Sequence, residues 1–506
     1  MGARLAVLGA LVIGAALRFY PVWFALPYAK ARPDETTSLG HAVAILAGDP
    51  NPHFFNWPSL PFYLFAGFFT MASWFKGTLS NVDLFLVARS AVALAGTATI
   101  LVIARLGRQV ANARTAALAA WFLAVAVLHV RDSHFATVDV LLTLLVTGSL
   151  VLVLDAMEAP TTRAIALAGF VGGLAASTKY SAAALVLPML FLRPGSRPHL
   201  RDLVTFGAAF AAGFFLTTPY AALDYPQFTA DLQYEAGHLR GGHGVDVGWG
   251  WSYHSRRSLL FGLGPVLFVA AIGGAVPFWR RYRRFALPIG AFALATFAAL
   301  GAGRTVFFRY ILPLVPILCL SAAIGVESLA GWIAARLSRP RGAVTAILAA
   351  LVAGPSLVTS MQIDRLLAQP DSRVLASEWL RPQLRSDATL CDVEEAIGLD
   401  LRGVEFHNWH FDKPSATFVN AGDRLPDWLV LYESPVRQYA AIDPRMADLA
   451  RREYTLAFEV RGVGRAMRSV FDPQDAFFLP IFGLSGIPRP GPDVFIYRRA
   501  SARDGR

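Results

Sequence analysis

Eleven runs of apolar residues, separated by short connections rich in arginine, constrain this chain more than any other feature. They extend approximately over Leu5–Phe24, Leu84–Ala104, Thr115–Val130, Val140–Leu154, Ile165–Ser177, Ala182–Leu192, Leu203–Thr218, Leu259–Phe278, Phe285–Gly301, Tyr310–Ala335 and Val344–Ser360. Most are long enough to cross a hydrocarbon core of about 30 Å at 1.5 Å per helical residue. Backbone inside lipid must satisfy its own hydrogen bonds, so each run reads as a membrane helix, with the fifth and sixth short. Only 16% of the residues are charged and the mean hydropathy is +0.47, against about 25% charged in an average soluble protein. A soluble single domain is excluded. The first run follows Arg4 and could pass for a signal peptide, but the ten runs after it make an uncleaved first span the better reading.

The formal charge of +11 would suit a nucleic-acid partner if it formed a continuous face. It does not. Lysine occurs only at 30, 76, 179 and 413, and most arginines of the first 360 residues cluster between apolar runs. Alternate connections carry Arg105, Arg108 and Arg114; Arg163; Arg193, Arg197 and Arg201; Arg280, Arg281, Arg283 and Arg284; and Arg336, Arg339 and Arg341. Cytoplasmic loops are enriched in such residues, which places the N-terminus in the cytoplasm and the tail outside. Cys319 and Cys391 are too isolated for a disulfide framework or a thiolate metal site.

Ser59–Phe75 is apolar but short. A full crossing there would turn the later arginine clusters outward, so it is assigned to a re-entrant or interfacial helix at 59–75 within an outer loop, 25–83. The expected fold class is mainly α: a polytopic bundle of about 11 transmembrane helices over 1–361, with a small extracytoplasmic α/β domain over 362–506. In that tail Arg373–Leu384 has amphipathic helical spacing, while Ala388–Val393, Trp428–Tyr432, Tyr454–Val460 and Asp493–Tyr497 read as short strands.

Polar residues at the outer ends of the runs are the candidates for chemistry. Asp34 and Glu35, in Arg32-Pro33-Asp34-Glu35, put two carboxylates beside the membrane, where one can serve as general base. The alternative is a helix start, since acids suit the positive end of the helix dipole. Arg131-Asp132-Ser133-His134 and Asp139 share the next outer connection and could pair charges, bind a sugar hydroxyl or ligate a divalent ion; a capped helix end is the alternative. Lys179, Arg304 and Arg309 could meet an anionic substrate, since a departing phosphate requires fixed positive charge, or could simply reach for lipid headgroups. The connection Pro219–Ser258 adds His238, His243, His254, Trp249 and Trp251 among glycines, as a flexible loop without zinc spacing. His407-Asn408-Trp409-His410 reads as structural.

Taken in order, the acidic pair after the first span, the long outer loop with Trp57-Pro58-Ser59-Leu60-Pro61 and the acid on the second outer loop resemble the GT-C superfamily of polyprenyl-phosphate-dependent glycosyltransferases. Within it they resemble the branch of protein O-mannosyltransferases and lipid A aminoarabinose transferases. Asp34-Glu35 is similar to that branch's Asp-Glu pair, and Arg309-Tyr310-Ile311-Leu312-Pro313-Leu314-Val315-Pro316 to its Arg-Tyr-x-x-Pro-x-x-Pro helix start. Asp371-Ser372-Arg373 with Ser377-Glu378-Trp379-Leu380 is similar to the opening of its C-terminal domain. Eukaryotic-type members have His-Pro-Pro-Leu where this chain has Trp57-Pro58-Ser59-Leu60. The acceptor is therefore left open among protein, lipid A and envelope glycan.

The resemblance implies a lipid-phosphate sugar donor, Asp34 as base, inversion at the anomeric carbon, and Lys179, Arg304 or Arg309 on the departing phosphate. Glu35, Asp139 and His134 would orient sugar or acceptor, and Arg131, Tyr310 and Trp57 complete the substrate-binding set. No glycine loop for a nucleotide occurs, and no cofactor is assigned, with a divalent metal left open. A transporter or flippase is the competing class. It calls for inverted repeats and mid-membrane charges, whereas these polar groups lie at outer ends.

Overall fold

A computed structural model of the chain describes residues 2–193, 198–412, 414–415, 417–419 and 424–500. Arg197, one of the loop cations, lies outside those residues, as do Lys413 and the end of the tail. Contacts group the chain into two units, Met1–Val22 with Thr37–Asp364 and Trp23–Thr36 with Arg365–Arg506.

The first unit is helical. Its elements are α1 (Gly2–Phe19), α2 (Pro33–Leu46, its first turn belonging to the second unit), α3 (Leu60–Lys76), α4 (Asn81–Val110), α5 (Ala113–Val125), α6 (Val127–Asp132), α7 (Asp139–Glu158), α8 (Thr162–Ala176) and α9 (Leu200–Thr217). They continue with α10 (Tyr220–Leu223), α11 (Tyr225–Gly241), α12 (Gly250–Tyr253), α13 (Leu260–Leu263), α14 (Pro265–Arg281), α15 (Arg283–Gly301), α16 (Val315–Arg336) and α17 (Arg341–Leu367). The segments Tyr180–Phe191 and Phe308–Leu314 are 3-10 helices, and His254–Leu259 is a π-helix.

Each of the eleven apolar runs is largely helical, although Thr115–Val130 and Leu259–Phe278 are each split between helices. By length and composition seven helices among the described residues can cross a membrane, or eight if the pair Gly250–Leu263 and Pro265–Arg281, bent by 112°, is one span. Ala113–Val125, Thr162–Ala176 and Tyr180–Phe191 are shorter apolar helices. The protein is a multi-pass membrane protein. The bend has a local cause: Gly264 has φ 92°, Pro265 follows it, and a Cβ at 264 would stand 2.4 Å from Ser356 Oγ. A left-handed glycine and a proline together end one helix and start the next.

Where lipid surrounds a bundle, helices associate through close packing of small residues. On α8 and α9 a Cβ added at Gly169 or Gly173 would meet the carbonyl of Phe206 at 2.4 Å or of Phe210 at 2.0 Å, and one at Gly213 would meet Phe170 O at 2.3 Å. Gly173→Ala is therefore expected to force α8 and α9 apart at a cost of about 1 to 3 kcal/mol. Gly207→Ala on α9, with nothing within 4 Å, should leave thermal stability unchanged. Equal melting temperatures for the two variants in detergent would show that this contact does not hold the helices together.

Two expectations change. The run Thr115–Val130 is broken at Ala126, which is extended at φ −62° and ψ 115°, and so forms α5 and α6. Arg18, fully buried, repairs the break. Its guanidinium donates to Ala124 O at 3.0 Å and Leu123 O at 2.9 Å, and lies 3.0 Å from His129 Nδ1. The connection Pro219–Ser258 is mostly helical rather than a flexible loop. Pro226 sits in the first turn of α11, and a polar helix without an apolar stripe carries little sequence signal.

The second unit holds a five-stranded sheet ordered β2-β1-β5-β7-β6, built from β1 (Thr389–Asp392), β2 (His407–Asn408), β5 (Trp428–Glu433), β6 (Tyr454–Val460) and β7 (Asp493–Arg499). β1 runs parallel to β2 and β5, and β7 antiparallel to β5 and β6. A separate ribbon pairs β3 (Phe411–Asp412) with β4 (Thr417–Phe418). Strand alternation sends Leu390, Trp428, Val430, Val494 and Ile496 to one core and Cys391, Leu429, Leu431 and Phe495 to the other. The four strands and the helix read from the tail sequence are present, the helix as α18 (Ser372–Leu380). The sequence reading lacked α19 (Pro444–Glu453), which buries only Met446 and Ala450.

Residues 23–36 are built into this unit by polar anchors. Tyr28 Oη donates to Ile397 O at 2.7 Å and Gly398 O at 2.8 Å, Lys30 Nζ donates to Glu395 O at 2.7 Å, and Arg32 donates to Asp475. Arg373, paired with Asp371, lies 4.6 Å above the Tyr28 ring.

Asp392 is a buried carboxyl in the same unit. Burial pushes its carboxyl up from 3.8 to about 6, although Leu399 N at 2.8 Å and Tyr432 Oη at 3.0 Å donate to it and Lys30 opposes the shift. Because the folded value is raised, the folded state binds the proton more tightly than the unfolded one. The unit should lose stability as pH climbs from about 4 to about 6, by up to about 3 kcal/mol, and change little above that. Asp392→Asn should flatten this dependence in thermal unfolding of the full chain. A wild-type profile that does not fall across that window would contradict the assignment.

Candidate active-site residues

In the first unit four of the residues singled out from the sequence come together. Asp139 opens α7, at the positive end of the helix dipole, and is almost fully buried. Lys179 ends the turn between α8 and the 3-10 helix that starts at Tyr180, and its Nζ lies 2.8 Å from Asp139 Oδ1. Arg309 enters from the 3-10 helix before α16, with its Nε 3.7 Å from Asp139 Oδ2. Pro313 lies in that 3-10 segment and Pro316 in the first turn of α16; neither has an N–H to donate, so the spacing of the Arg-Tyr-x-x-Pro-x-x-Pro motif suits a 3-10 turn leading into an α-helix.

Aromatic faces wall these cations. Lys179 Nζ is 4.1 Å from the centroid of Tyr310, and the Arg309 guanidinium is 4.2 Å from Phe307 and 5.9 Å from Tyr310. Ring faces attract cations most where water is scarce. Phe307 was not singled out from the sequence; its place two residues before Arg309 was the available signal. The arrangement gives one carboxylate that fixes two cations of different shape. Lys179 spends one of its three N–H donors on Asp139.

The other unit-1 candidates lie elsewhere. His134 is fully buried; its ring nitrogens contact Val130 O, Arg131 O and Tyr20 O, and Nε2 is 3.6 Å from Asp364. Arg131 is buried beside Asp132 at 3.8 Å. Arg304 is exposed, 3.6 Å from Asp246. Trp57 belongs to an aromatic group with Phe54 and Phe62, on which His41 stacks. The sequence grouped His134 with Asp139 by proximity, whereas the fold turns His134 toward Tyr20 and Asp364.

In the second unit Asp34 and Glu35 occupy the first turn of α2, so the helix-start reading of Pro33-Asp34-Glu35 is realised. That does not remove a chemical role, because the turn is rigid and the Asp34 side chain keeps 26% of its surface exposed while Glu35 is buried. Arg32 Nη2 lies 3.7 Å from Asp34 Oδ2, and the same fully buried guanidinium is held by Asp475 and lies 5.1 Å from the Phe477 ring. Asp475 was missed from the sequence, 443 residues away from its partner. Among the described residues no group of three or more His, Cys, Asp and Glu could hold a metal ion. Both oxygens of Asp139 face cations, so this carboxylate is not set up as a metal ligand.

Comparison with known proteins follows the same outline. Residues 70–222 match the family model for dolichyl-phosphate-mannose-protein mannosyltransferase. That stretch contains Asp139 and Lys179 but neither Asp34 nor Arg309. No curated protein matches the sequence. Among solved structures, ArnT from Cupriavidus metallidurans bound to undecaprenyl phosphate is similar with a TM-score of 0.53 and 18% identity, over 90% of this chain and 95% of that one. Its apo state gives 0.52 and 16% over the same shares. The archaeal oligosaccharyltransferase AglB from Archaeoglobus fulgidus, in complex with an inhibitory peptide and a dolichol-phosphate, gives 0.52 and 15% over 76% of this chain. The present chain spans only 58% of AglB's length. Residues 70–222 match the mannosyltransferase family model, and the chain as a whole has the fold seen in ArnT and AglB.

Proposed function

We propose that the protein moves a sugar from a polyprenyl-phosphate donor to an extracytoplasmic acceptor, with inversion. The observation that carries this reading is the Lys179–Asp139–Arg309 cluster, two cations fixed by one buried carboxylate in a membrane bundle. Solved structures similar to this chain include one bound to undecaprenyl phosphate and one bound to a dolichol-phosphate, which supports a lipid-linked donor here.

The reaction is a single displacement. Asp34 accepts the proton of the acceptor hydroxyl or amine as that atom attacks the anomeric carbon from the face opposite the phosphate. The anomeric C–O bond breaks, its electron pair stays on oxygen, and polyprenyl phosphate leaves. Lys179 and Arg309 bind the phosphate and stabilise the charge that grows on its bridging oxygen. Asp139 is a positioning residue that sets the spacing of the two cations. Arg32, held by Asp475, orients Asp34. Glu35, Tyr310 and Trp57 remain candidates for contact with sugar or acceptor. In this reading the membrane is a bacterial inner membrane and residues 362–506 lie on its extracytoplasmic side, an orientation that the arginine-rich loops support.

Mass spectrometry of envelope proteins, lipids and glycans from cells with and without the gene tests the reading. One class should lose a glycosyl increment when the gene is absent. Unchanged glycosylation in all three classes would remove the proposal.

A further inference from the structure

A cavity of about 690 Å³ opens between α1, α4, α5 and α7, at the end of the bundle opposite to Asp139. α1 and α5 begin there and α4 and α7 end there, so it lies on the side that the arginine-rich loops assign to the cytoplasm. Arg4, Arg105 and Arg108 line it with Gln109, Asp155 and Glu158. These groups are unequally occupied. Arg105 Nη2 is 2.7 Å from Asp155 Oδ2, and Gln109 Nε2 donates to Asp155 Oδ1 at 2.5 Å, so Asp155 is satisfied. Among the described residues no hydrogen bond or ion pair engages the side chains of Arg4, Arg108 or Glu158. The Gln109 amide is oriented by its bonds to Asp155 and Val151 O, and its buried Oε1 accepts nothing.

A ligand that satisfies this set has an anion for two guanidinium groups and an N–H donor for a carboxylate. A phosphodiester carrying an ammonium supplies both. The apolar walls say how it arrives. Leu8, one turn from Arg4, and Leu101, one turn from Arg105, are about half exposed and lead from the cavity along the lipid-facing surface. We propose that the cavity is a binding site for an aminoethyl-phosphate lipid headgroup of the inner leaflet, with phosphate on Arg4 and Arg108 and ammonium on Glu158. Basic pockets between membrane helices on the cytoplasmic side are suited to lipid headgroups, and the acid at Glu158 gives this one a preference for the amine-bearing kind. The site is separate from the proposed transfer chemistry.

Native mass spectrometry of the delipidated full chain, with phosphatidylethanolamine, phosphatidylglycerol and phosphatidylcholine added in turn, tests this. Wild type should retain phosphatidylethanolamine at least fivefold better than the other two. Arg4→Gln with Arg108→Gln should lower retention at least tenfold, and Glu158→Gln should abolish the preference without lowering phosphatidylglycerol retention. Millimolar O-phosphoethanolamine should not displace the lipid. Glu158 is exposed, so its variant keeps the test alive if the arginine pair proves necessary for folding. Equal retention of the three lipids by wild type, an unchanged preference in Glu158→Gln, or full displacement by the soluble headgroup would overturn the proposal.

Discussion

Asp34→Asn is expected to lower sugar transfer by about 10²- to 10⁴-fold, the usual contribution of a positioned general base, while the protein folds and binds donor as before. Asparagine is nearly isosteric and is tolerated in a first helical turn, so α2 should start at the same place. What the amide loses is basicity. The carboxylate sits 3.7 Å from a guanidinium that Asp475 holds in place, so its position is set by an ion pair rather than by a mobile loop. The assay is single-turnover transfer at saturating donor, with donor affinity measured separately. Wild-type transfer by the Asn variant would remove Asp34 as the base. Loss of transfer with an equal loss of donor affinity would assign it to binding.

The second large effect is expected at Arg309. Arg309→Ala should weaken binding of a polyprenyl-phosphate donor by about 1.5 to 3 kcal/mol, the worth of a hydrogen bond to a charged group, roughly ten- to a hundredfold in Kd. Arg309→Lys should recover part of it, because a lysine restores charge but not the planar fork that meets two phosphate oxygens. Lys179 shares Asp139 with Arg309, so the effects of Lys179→Ala and Arg309→Ala should not add in the double variant. A donor titration that gives equal Kd for wild type and Arg309→Ala would exclude Arg309 from the phosphate site. Additivity within experimental error would show that Asp139 does not couple the two cations.

How far the sequence reveals this arrangement depends on the range of the interactions. Membrane helices are written locally, as runs of apolar residues, and each of the eleven runs is largely helical. Strands such as Trp428–Glu433 are equally local, since the short apolar run and its bounding Asp and Pro residues lie within a few positions. Helix α11 escaped because its polar surface shows no period. The break at Ala126 escaped because it depends on Arg18, more than a hundred residues earlier, donating to the carbonyls it frees.

The candidate residues show the same limit. Asp139, Lys179 and Arg309 each drew attention as polar groups at helix ends, but only folding brings them onto one carboxylate. His134, five residues from Asp139, has its ring toward the Tyr20 carbonyl instead. Arg32 stood in view beside Asp34, while Asp475 carried no local mark at all. Proximity along the chain is a poor guide to which polar groups share a site.

Release of polyprenyl phosphate from a synthetic polyprenyl-phosphate sugar by the purified protein in nanodiscs, with an extract of envelope acceptors, tests the central claim most directly. The account expects release that depends on acceptor, a product of inverted anomeric configuration, and near-complete loss in Asp34→Asn. Release with retained configuration, or equal release by wild type and Asp34→Asn, would contradict it.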